Sequence, residues 1–201
     1  MNIVDDGDLP QAVHGLAERV KLNALKRHHS TRGVMGLYVL VNSAITIAIL
    51  SGIAVLTHEP FVFPSLGPTA FVLFFAATSV SSCPRNVFCG HLIGVLCGFA
   101  ALTIFGLNNT PPDLESLTWA QVGSITLALC STLSLMVWLG VAHAPAGATT
   151  LIVALGLLRT PGHLVILMVA VAALIAQGFV INRLAGIKYP VWAPADPSSA
   201  R

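Results

Sequence analysis

Two stretches of the chain combine proline, glycine and threonine at the start of a short apolar run. They are Phe63–Ala70 and His143–Thr150. If each run is a helix that begins inside a membrane, its unpaired backbone N–H groups and the positive end of its dipole face a cavity. Such a helix end binds anions readily, and glycine lets a ligand approach the backbone closely. The predicted substrate-binding residues are Ser65, Gly67, Thr69, His143, Gly147, Thr149 and Thr150.

Ionisable residues near these stretches form a second candidate group. His58 and His143 each precede a short run, and His91 lies inside a long one. A histidine in a membrane helix can follow proton movement or carry part-time positive charge for an anion. We predict a proton-handling or gating role for His58, Glu59, Arg85 and His91.

Simpler roles for the same residues stay open. Proline, glycine and threonine are ordinary at helix starts, and small residues are ordinary where membrane helices touch. Arg85 could serve only as a topology anchor, and Glu59 could pair with His58 or only face water. The histidines and cysteines lack the spacing of a metal site, so we expect neither a metal nor a cofactor. We find no Ser-His-Asp arrangement, phosphate loop or carboxylate pair, so nothing in the sequence supports an enzyme.

The composition indicates that a membrane domain carries these residues. Hydrophobic residues make up 55% of the chain and charged residues 9%, whereas a soluble domain has about 25% charged residues. The mean hydropathy is +0.83. The basic residues before the first long apolar run lack interleaved aromatics, which is typical of a membrane flank and not of a nucleic-acid surface. We therefore expect the lipid bilayer as a partner, and no nucleic acid.

Four apolar runs are long enough to cross a bilayer. They are Gly33–Thr57, Val87–Leu107, Trp119–Ala142 and His163–Ile181. Two shorter runs, 65–80 and 146–158, would be roughly 24 Å and 20 Å long as helices. Both are shorter than a hydrocarbon core of about 30 Å. The predicted fold is an all-α membrane protein.

The order long, short, long occurs twice, in 33–107 and in 119–183, and predicts two three-helix units. The units share a local pattern, which is His58/Pro60/Gly67/Thr69 in the first and His143/Pro145/Gly147/Thr149 in the second. Three spans in each unit would make the second an inverted repeat of the first, and inverted repeats with interrupted half-helices are typical of transporters. The alternative is four spans with two re-entrant helices. The distribution of basic residues modestly favours six segments and predicts cytoplasmic termini in either case.

Tails are predicted on both sides of the transmembrane domain 33–183. In the first tail, 1–32, residues 9–29 have an apolar stripe of Leu9, Val13, Leu16, Val20 and Ala24. This stripe is typical of an interfacial amphipathic helix, although a loose solvated tail is an equal alternative. In the second tail, 184–201, the chain from Gly186 is predicted to be extended or disordered. We expect a multi-pass protein of a bacterial inner membrane.

The motifs resemble those of the HPP family of integral membrane proteins, which is named for a His-Pro-Pro motif. The resemblance is carried, over roughly 33–183, by His58-Glu59-Pro60, by Phe63-Pro64-Ser65-Leu66-Gly67-Pro68-Thr69-Ala70, by Pro84-Arg85-Asn86 with Gly90-His91, and by His143-Ala144-Pro145-Ala146-Gly147-Ala148. This chain departs from the family motif because Glu59 and Ala144 stand where the middle proline is expected.

The resemblance implies a transporter of a small anion, because members of the family have been linked to nitrite transport. It also implies four spanning helices, which would make the two short segments re-entrant. The predicted function is a membrane transporter or channel for a small inorganic anion, with nitrite as the leading candidate. The alternative is a membrane scaffold or sensor that transports nothing. A homo-oligomer is left open.

Overall fold

The computed structural model describes residues 22–194, apart from the side chains of residues 23, 24 and 28. This part of the chain forms seven α-helices and one 3-10 turn, and it contains no strand. The helices are α1 (Leu22–His28), α2 (Thr31–Thr57), α3 (Leu66–Phe75), α4 (Pro84–Ile104), α5 (Trp119–Trp138), α6 (Ala146–Ala154) and α7 (Pro161–Leu184), with the 3-10 turn at Val80–Ser82. The predicted all-α class is confirmed. Most of the predicted amphipathic helix 9–29 lies outside the described residues.

Four helices are long and apolar enough to cross a membrane, and they are α2, α4, α5 and α7. Many of their large apolar side chains are exposed, for example Leu56, Trp138 and Leu184. Apolar side chains of this kind suit contact with lipid tails. The backbone also needs no water there, because helices satisfy their own backbone hydrogen bonds. The chain is therefore an integral, multi-pass membrane protein.

The short helices are shorter than the apolar runs that contain them. Helix α3 has 10 residues and α6 has 9, which corresponds to roughly 15 Å and 14 Å. The remainder of the first run forms a turn and the 3-10 segment Val80–Ser82. In the second run, Gly156 adopts a left-handed conformation with φ of 78° and ends the helix.

The boundaries of the long helices differ from the sequence prediction by a few residues. Helix α4 begins at Pro84, before the predicted start at Val87, and in the first turn of a helix the missing N–H of proline costs nothing. At the other end of the domain, α7 extends past the predicted end at Ile181 to Leu184. Helix α5 ends at Trp138, and Gly140 then takes a left-handed conformation with φ of 62°. The chain turns there toward His143.

In each half of the domain, the short helix also packs against the other half. Helix α3 packs on α2, which precedes it, and on α7 from the other half. Helix α6 in the same way packs on α5, which precedes it, and on α4 from the other half. The same pairing rule thus holds in both halves, and the halves also meet directly where α4 packs on α5 and α7.

A row of glycines on α4 allows α6 to approach closely. Gly90, Gly94 and Gly98 recur every four residues and therefore share one face of the helix. A Cβ atom on Gly94 would lie 2.8 Å from Oγ1 of Thr150 and 2.9 Å from the backbone oxygen of Ala146. Small residues of this kind let membrane helices meet at backbone distance.

The segment after α7 is packed against the domain through residue 194. The Tyr189 side chain is fully buried, and its hydroxyl donates to the carbonyl oxygen of Ser82. The backbone N–H of Arg85 donates to the carbonyl oxygen of Trp192 at 3.0 Å. This segment has no helix or strand, as predicted, but these contacts hold it in place.

The glycine row makes a prediction about stability. Gly94→Ala places a methyl group against the backbone of α6, and we expect it to cost about 1–3 kcal/mol of unfolding free energy. Gly52→Ala is the matched control, because a Cβ there meets nothing within 4 Å. We expect the control to be neutral or stabilising by up to about 1 kcal/mol. Unfolding in mixed detergent micelles measures both, and equal stability of the two variants would show that close packing on α4 is not required.

Candidate functional site

Four polar side chains meet in the interior of the apolar domain. They are Thr69 on α3, His91 on α4, His143 in the turn before α6, and Thr149 on α6. All four are fully buried, with 0% exposure. A buried polar group is costly in an apolar setting unless it is hydrogen-bonded, so their partners determine this part of the fold. We call these four residues the histidine–threonine cluster.

The two threonines hold equivalent positions in the short helices, since each is the fourth residue of its helix. The turns before the helices also match. The N–H of Leu66 donates to the oxygen of Phe63 at 2.9 Å, and the N–H of Ala146 donates to the oxygen of His143 at 3.0 Å. The structural counterpart of His143 is therefore Phe63. The sequence pattern matched it with His58, because it aligned the His and Pro residues and not the turns.

His91 connects the two short helices. Its Nε2 lies 2.9 Å from Oγ1 of Thr69, and its Nδ1 lies 2.7 Å from Oγ1 of Thr149. His91 follows Gly90, where a Cβ would lie 2.9 Å from Cβ of His143. The glycine row therefore brings α4 close enough to α6 for one imidazole ring to bond to both short helices.

His143 is held on both sides of its ring. Its Nδ1 lies 2.7 Å from the carbonyl oxygen of Ser81, and its Nε2 lies 3.2 Å from Oγ1 of Thr69. A carbonyl oxygen only accepts, so we assign the ring proton to Nδ1, and Nε2 of the neutral ring accepts from Thr69. The rings of His91 and His143 are 5.1 Å apart between centroids.

The segment that accepts from His143 is itself anchored by the buried Tyr189. Burial raises the pKa of the Tyr189 hydroxyl, and the nearby Cys83 adds to this effect. Burial likewise raises the pKa of the Cys83 thiol. Tyr189 thus stays a hydrogen-bond donor to Ser82 at neutral pH. The carbonyl of Ser81 is positioned beside this anchor.

The other predicted substrate-binding residues lie around the cluster in different settings. Ser65 is fully buried, and its hydroxyl has no hydrogen-bond partner in the described part of the chain. Thr150 points away from the histidines and donates to Thr132 on α5 or to the oxygen of Ala146, both at 3.1 Å. Gly67 is exposed, and Gly147 is half-buried.

Backbone N–H groups in the first turn of α6 already have acceptors. The N–H of Gly147 donates to the oxygen of Ala144 at 3.0 Å, and that of Ala148 donates to Pro145 at 3.1 Å. In α3, Pro68 has no N–H. Neither Gly67 nor Gly147 would bring a Cβ closer than 3.4 Å to another residue. The N–H groups of Gly147 and Ala148 are therefore not free to bind a ligand, so the side chains around the cluster are the main candidates for contact with an anion.

The predicted gating residues are not all brought to the cluster. His58 and Glu59 are exposed at the end of α2, where His58 has φ of 57°. Arg85 is half-buried, and its guanidinium donates to the oxygen of Gly140 at 3.0 Å and to Oδ1 of Asn86 at 3.1 Å. Arg85 therefore stabilises the turn that carries His143 and contacts neither ring. Of this predicted group, His91 alone belongs to the cluster.

The cluster offers hydroxyl and imidazole donors without a fixed charge. Within residues 22–194, no three His, Cys, Asp or Glu side chains come close enough to hold a metal ion. Two imidazoles and two hydroxyls that bond to one another can exchange protons, and they can donate to an anion that displaces one of these bonds. Sequence reasoning missed the oxygen of Ser81 and the glycine row. The spacing of Gly90, Gly94 and Gly98 was a usable signal for the row, whereas nothing in the sequence indicates a backbone acceptor.

A paired substitution tests the bond between His91 and Thr149. Thr149→Val keeps the shape of the side chain but leaves Nδ1 of His91 without a partner. We expect a loss of about 1–2 kcal/mol in unfolding free energy. Thr149→Ser keeps the hydroxyl and should retain most of that stability. Denaturation in SDS-containing micelles compares the two, and a valine variant as stable as the serine variant would contradict the bond.

Comparison with known proteins identifies the family. No curated protein and no solved structure matches the chain. The family model described as the HPP transmembrane region matches residues 28–190, which include all the described helices from α2 to α7. The chain therefore belongs to the HPP family of transmembrane proteins.

Proposed function

We propose that this protein transports a small monovalent anion across the membrane, with nitrite as the leading candidate, and that the histidine–threonine cluster is the binding site. The observation that carries the proposal is that both short helices contribute a buried threonine to the same imidazole, that of His91. Buried ionisable groups in a membrane domain usually mark a pathway for a substrate or a proton.

The chemistry of the cluster favours a small, weakly held anion. Hydroxyl and imidazole N–H groups can replace part of the hydration shell of an anion, and the N-terminal dipoles of α3 and α6 add favourable potential. The unpartnered hydroxyl of Ser65 is a further donor at the start of α3. Within the described part of the chain, no Lys or Arg side chain is hydrogen-bonded to the four residues. A multiply charged anion would be costly in such a site.

The two-half architecture supports a transport cycle. We propose that 33–107 and 119–183 form an inverted repeat, in which α3 and α6 are half-helices that start at membrane depth. Because α3 packs on α7 and α6 packs on α4, a rocking motion of one half against the other would open the cluster to alternate sides. We place the protein in a bacterial inner membrane with both termini in the cytoplasm, and assign it no enzymatic reaction.

Uptake into proteoliposomes tests this function. Wild-type protein should take up nitrite, and parallel assays with nitrate, formate, bicarbonate and chloride would show its selectivity. Thr149→Val and His143→Ala each remove a group of the cluster. A lost hydrogen bond to a charged ligand, worth about 1.5–3 kcal/mol, should reduce uptake by about 10- to 100-fold.

Thr57→Val is the matched control for the threonine variant. Thr57 is exposed at the end of α2, and its hydroxyl donates only to the oxygen of Ile53 at 2.7 Å. This control should transport at the wild-type rate. If folded wild-type protein takes up none of these anions, the transport proposal is wrong, and the scaffold or sensor alternative is favoured.

A further inference from the structure

The histidine–threonine cluster has one hydrogen-bonding proton fewer than it has contacts. Five contacts of 2.7–3.2 Å join Ser65 O to Thr69, Thr69 to each histidine, His91 to Thr149, and His143 to Ser81 O. The four side chains together supply four protons when both rings are neutral, one from each ring and one from each hydroxyl.

The contact that lacks a proton is one of those made by Thr69. Its single hydroxyl proton is shared between two acceptors, the oxygen of Ser65 at 2.9 Å and Nε2 of His143 at 3.2 Å. His91 does not compete for that proton if its own proton is on Nε2, where it donates to Thr69 while Nδ1 accepts from Thr149. The opposite tautomer of His91 would give Thr69 three acceptors. The neutral cluster therefore has a defined arrangement with one contact unsatisfied.

One added proton completes the network. If Nε2 of His143 is protonated, Thr69 accepts from both rings and donates to Ser65, and the bonds of His91 to Thr149 and of His143 to Ser81 are kept. The proton then has a defined place at the midpoint of the cluster. The geometry thus provides a site for one proton, at which the rings of His91 and His143 are joined through the hydroxyl of Thr69.

The surroundings provide no negative charge for that added proton. Helices α3 and α6 carry no titratable side chain. Elsewhere on the elements packed around the rings, the titratable residues are Arg32 and Tyr38 on α2, Cys83 before α4, Arg85, Cys89 and Cys97 on α4, Cys130 on α5, His163 and Arg183 on α7, and Lys188 and Tyr189 in the segment after α7. None of these is a carboxylate. A lone imidazolium here would be an unpaired buried charge, which is costly.

We propose that the cluster takes up one proton together with each anion, so that transport is electroneutral. This inference rests on the proposed function. The anion supplies the negative charge that the buried imidazolium lacks, and the imidazolium supplies the positive charge that the anion needs. Each charge lowers the desolvation cost of the other, so neither is bound well alone.

Proteoliposomes with a clamped membrane potential test the coupling. Potassium gradients with valinomycin set the potential, a separate gradient sets the pH, and an internal pH dye reports proton entry during nitrite uptake. Protein-free liposomes measure passive entry of nitrous acid, which is subtracted. We expect the rate of uptake to rise with an inward proton gradient and to be independent of the membrane potential. One proton should enter with each anion. Uptake that follows the potential and ignores the pH gradient would overturn the inference while leaving anion transport intact.

Substitution of Thr69 tests whether the cluster is the coupling site. Thr69→Ser keeps the shared hydroxyl and should keep the coupled uptake. Thr69→Val removes it and should lower proton-coupled uptake by about tenfold or more. If folded Thr69→Val protein still moves one proton with each anion at the rate of Thr69→Ser, the proposed coupling through the Thr69 hydroxyl is wrong. If wild-type protein takes up no anion, the proposed function fails, and this inference fails with it.

Discussion

The imidazole of His91 is hydrogen-bonded on one side to the first short helix and on the other side to the second. Both acceptor and donor positions of the ring are used, at 2.9 Å to Thr69 and 2.7 Å to Thr149. In an apolar interior, an unpaired ring nitrogen would be costly, so the two short helices are constrained to stay within reach of one ring. Together with the direct packing of α4 on α5 and α7, this constraint holds the two halves in position.

Several other features of the domain serve the same arrangement. The glycines of α4 remove the side chains that would separate it from α6. Arg85 fixes the turn after α5 by donating to Gly140. Tyr189, from the segment after α7, donates to Ser82 beside the backbone acceptor of His143. Residues distant in sequence thus orient both histidines, as supporting hydrogen bonds commonly do around functional side chains.

The sequence predicted the class of fold because a helix that crosses a membrane must be long and apolar, and such runs are visible in the hydropathy of the chain. The four long helices and the two short apolar segments follow from run length alone. Helix ends were less predictable, since Pro84 can either break a helix or begin one. The sequence also could not indicate that α3 packs on α7 and α6 on α4, because these contacts join segments that are distant in the chain.

The site was predictable in its residue types and not in its connections. Thr69, His143 and Thr149 were candidates from their place near proline and glycine, His91 was a candidate as a histidine inside a long apolar run, and the structure brings the four together. His58 and Glu59 were candidates as ionisable residues before the first short run, but they lie exposed at the end of α2. The deciding factor is the turn before each short helix, which aligns His143 with Phe63. Proline spacing alone does not contain that information.

The hydrogen bonds of the cluster require two neutral histidines that hold opposite tautomers, and solid-state NMR of 15N-histidine-labelled protein in lipid measures these tautomers directly. Spectra of His91→Gln and His143→Gln variants would assign the two signals among the seven histidines of the chain. In the absence of anion, we predict that His91 carries its proton on Nε2 and His143 carries its proton on Nδ1. Two rings in the same tautomer, or two rings that exchange freely with water, would contradict the hydrogen-bonded cluster on which the proposed function rests.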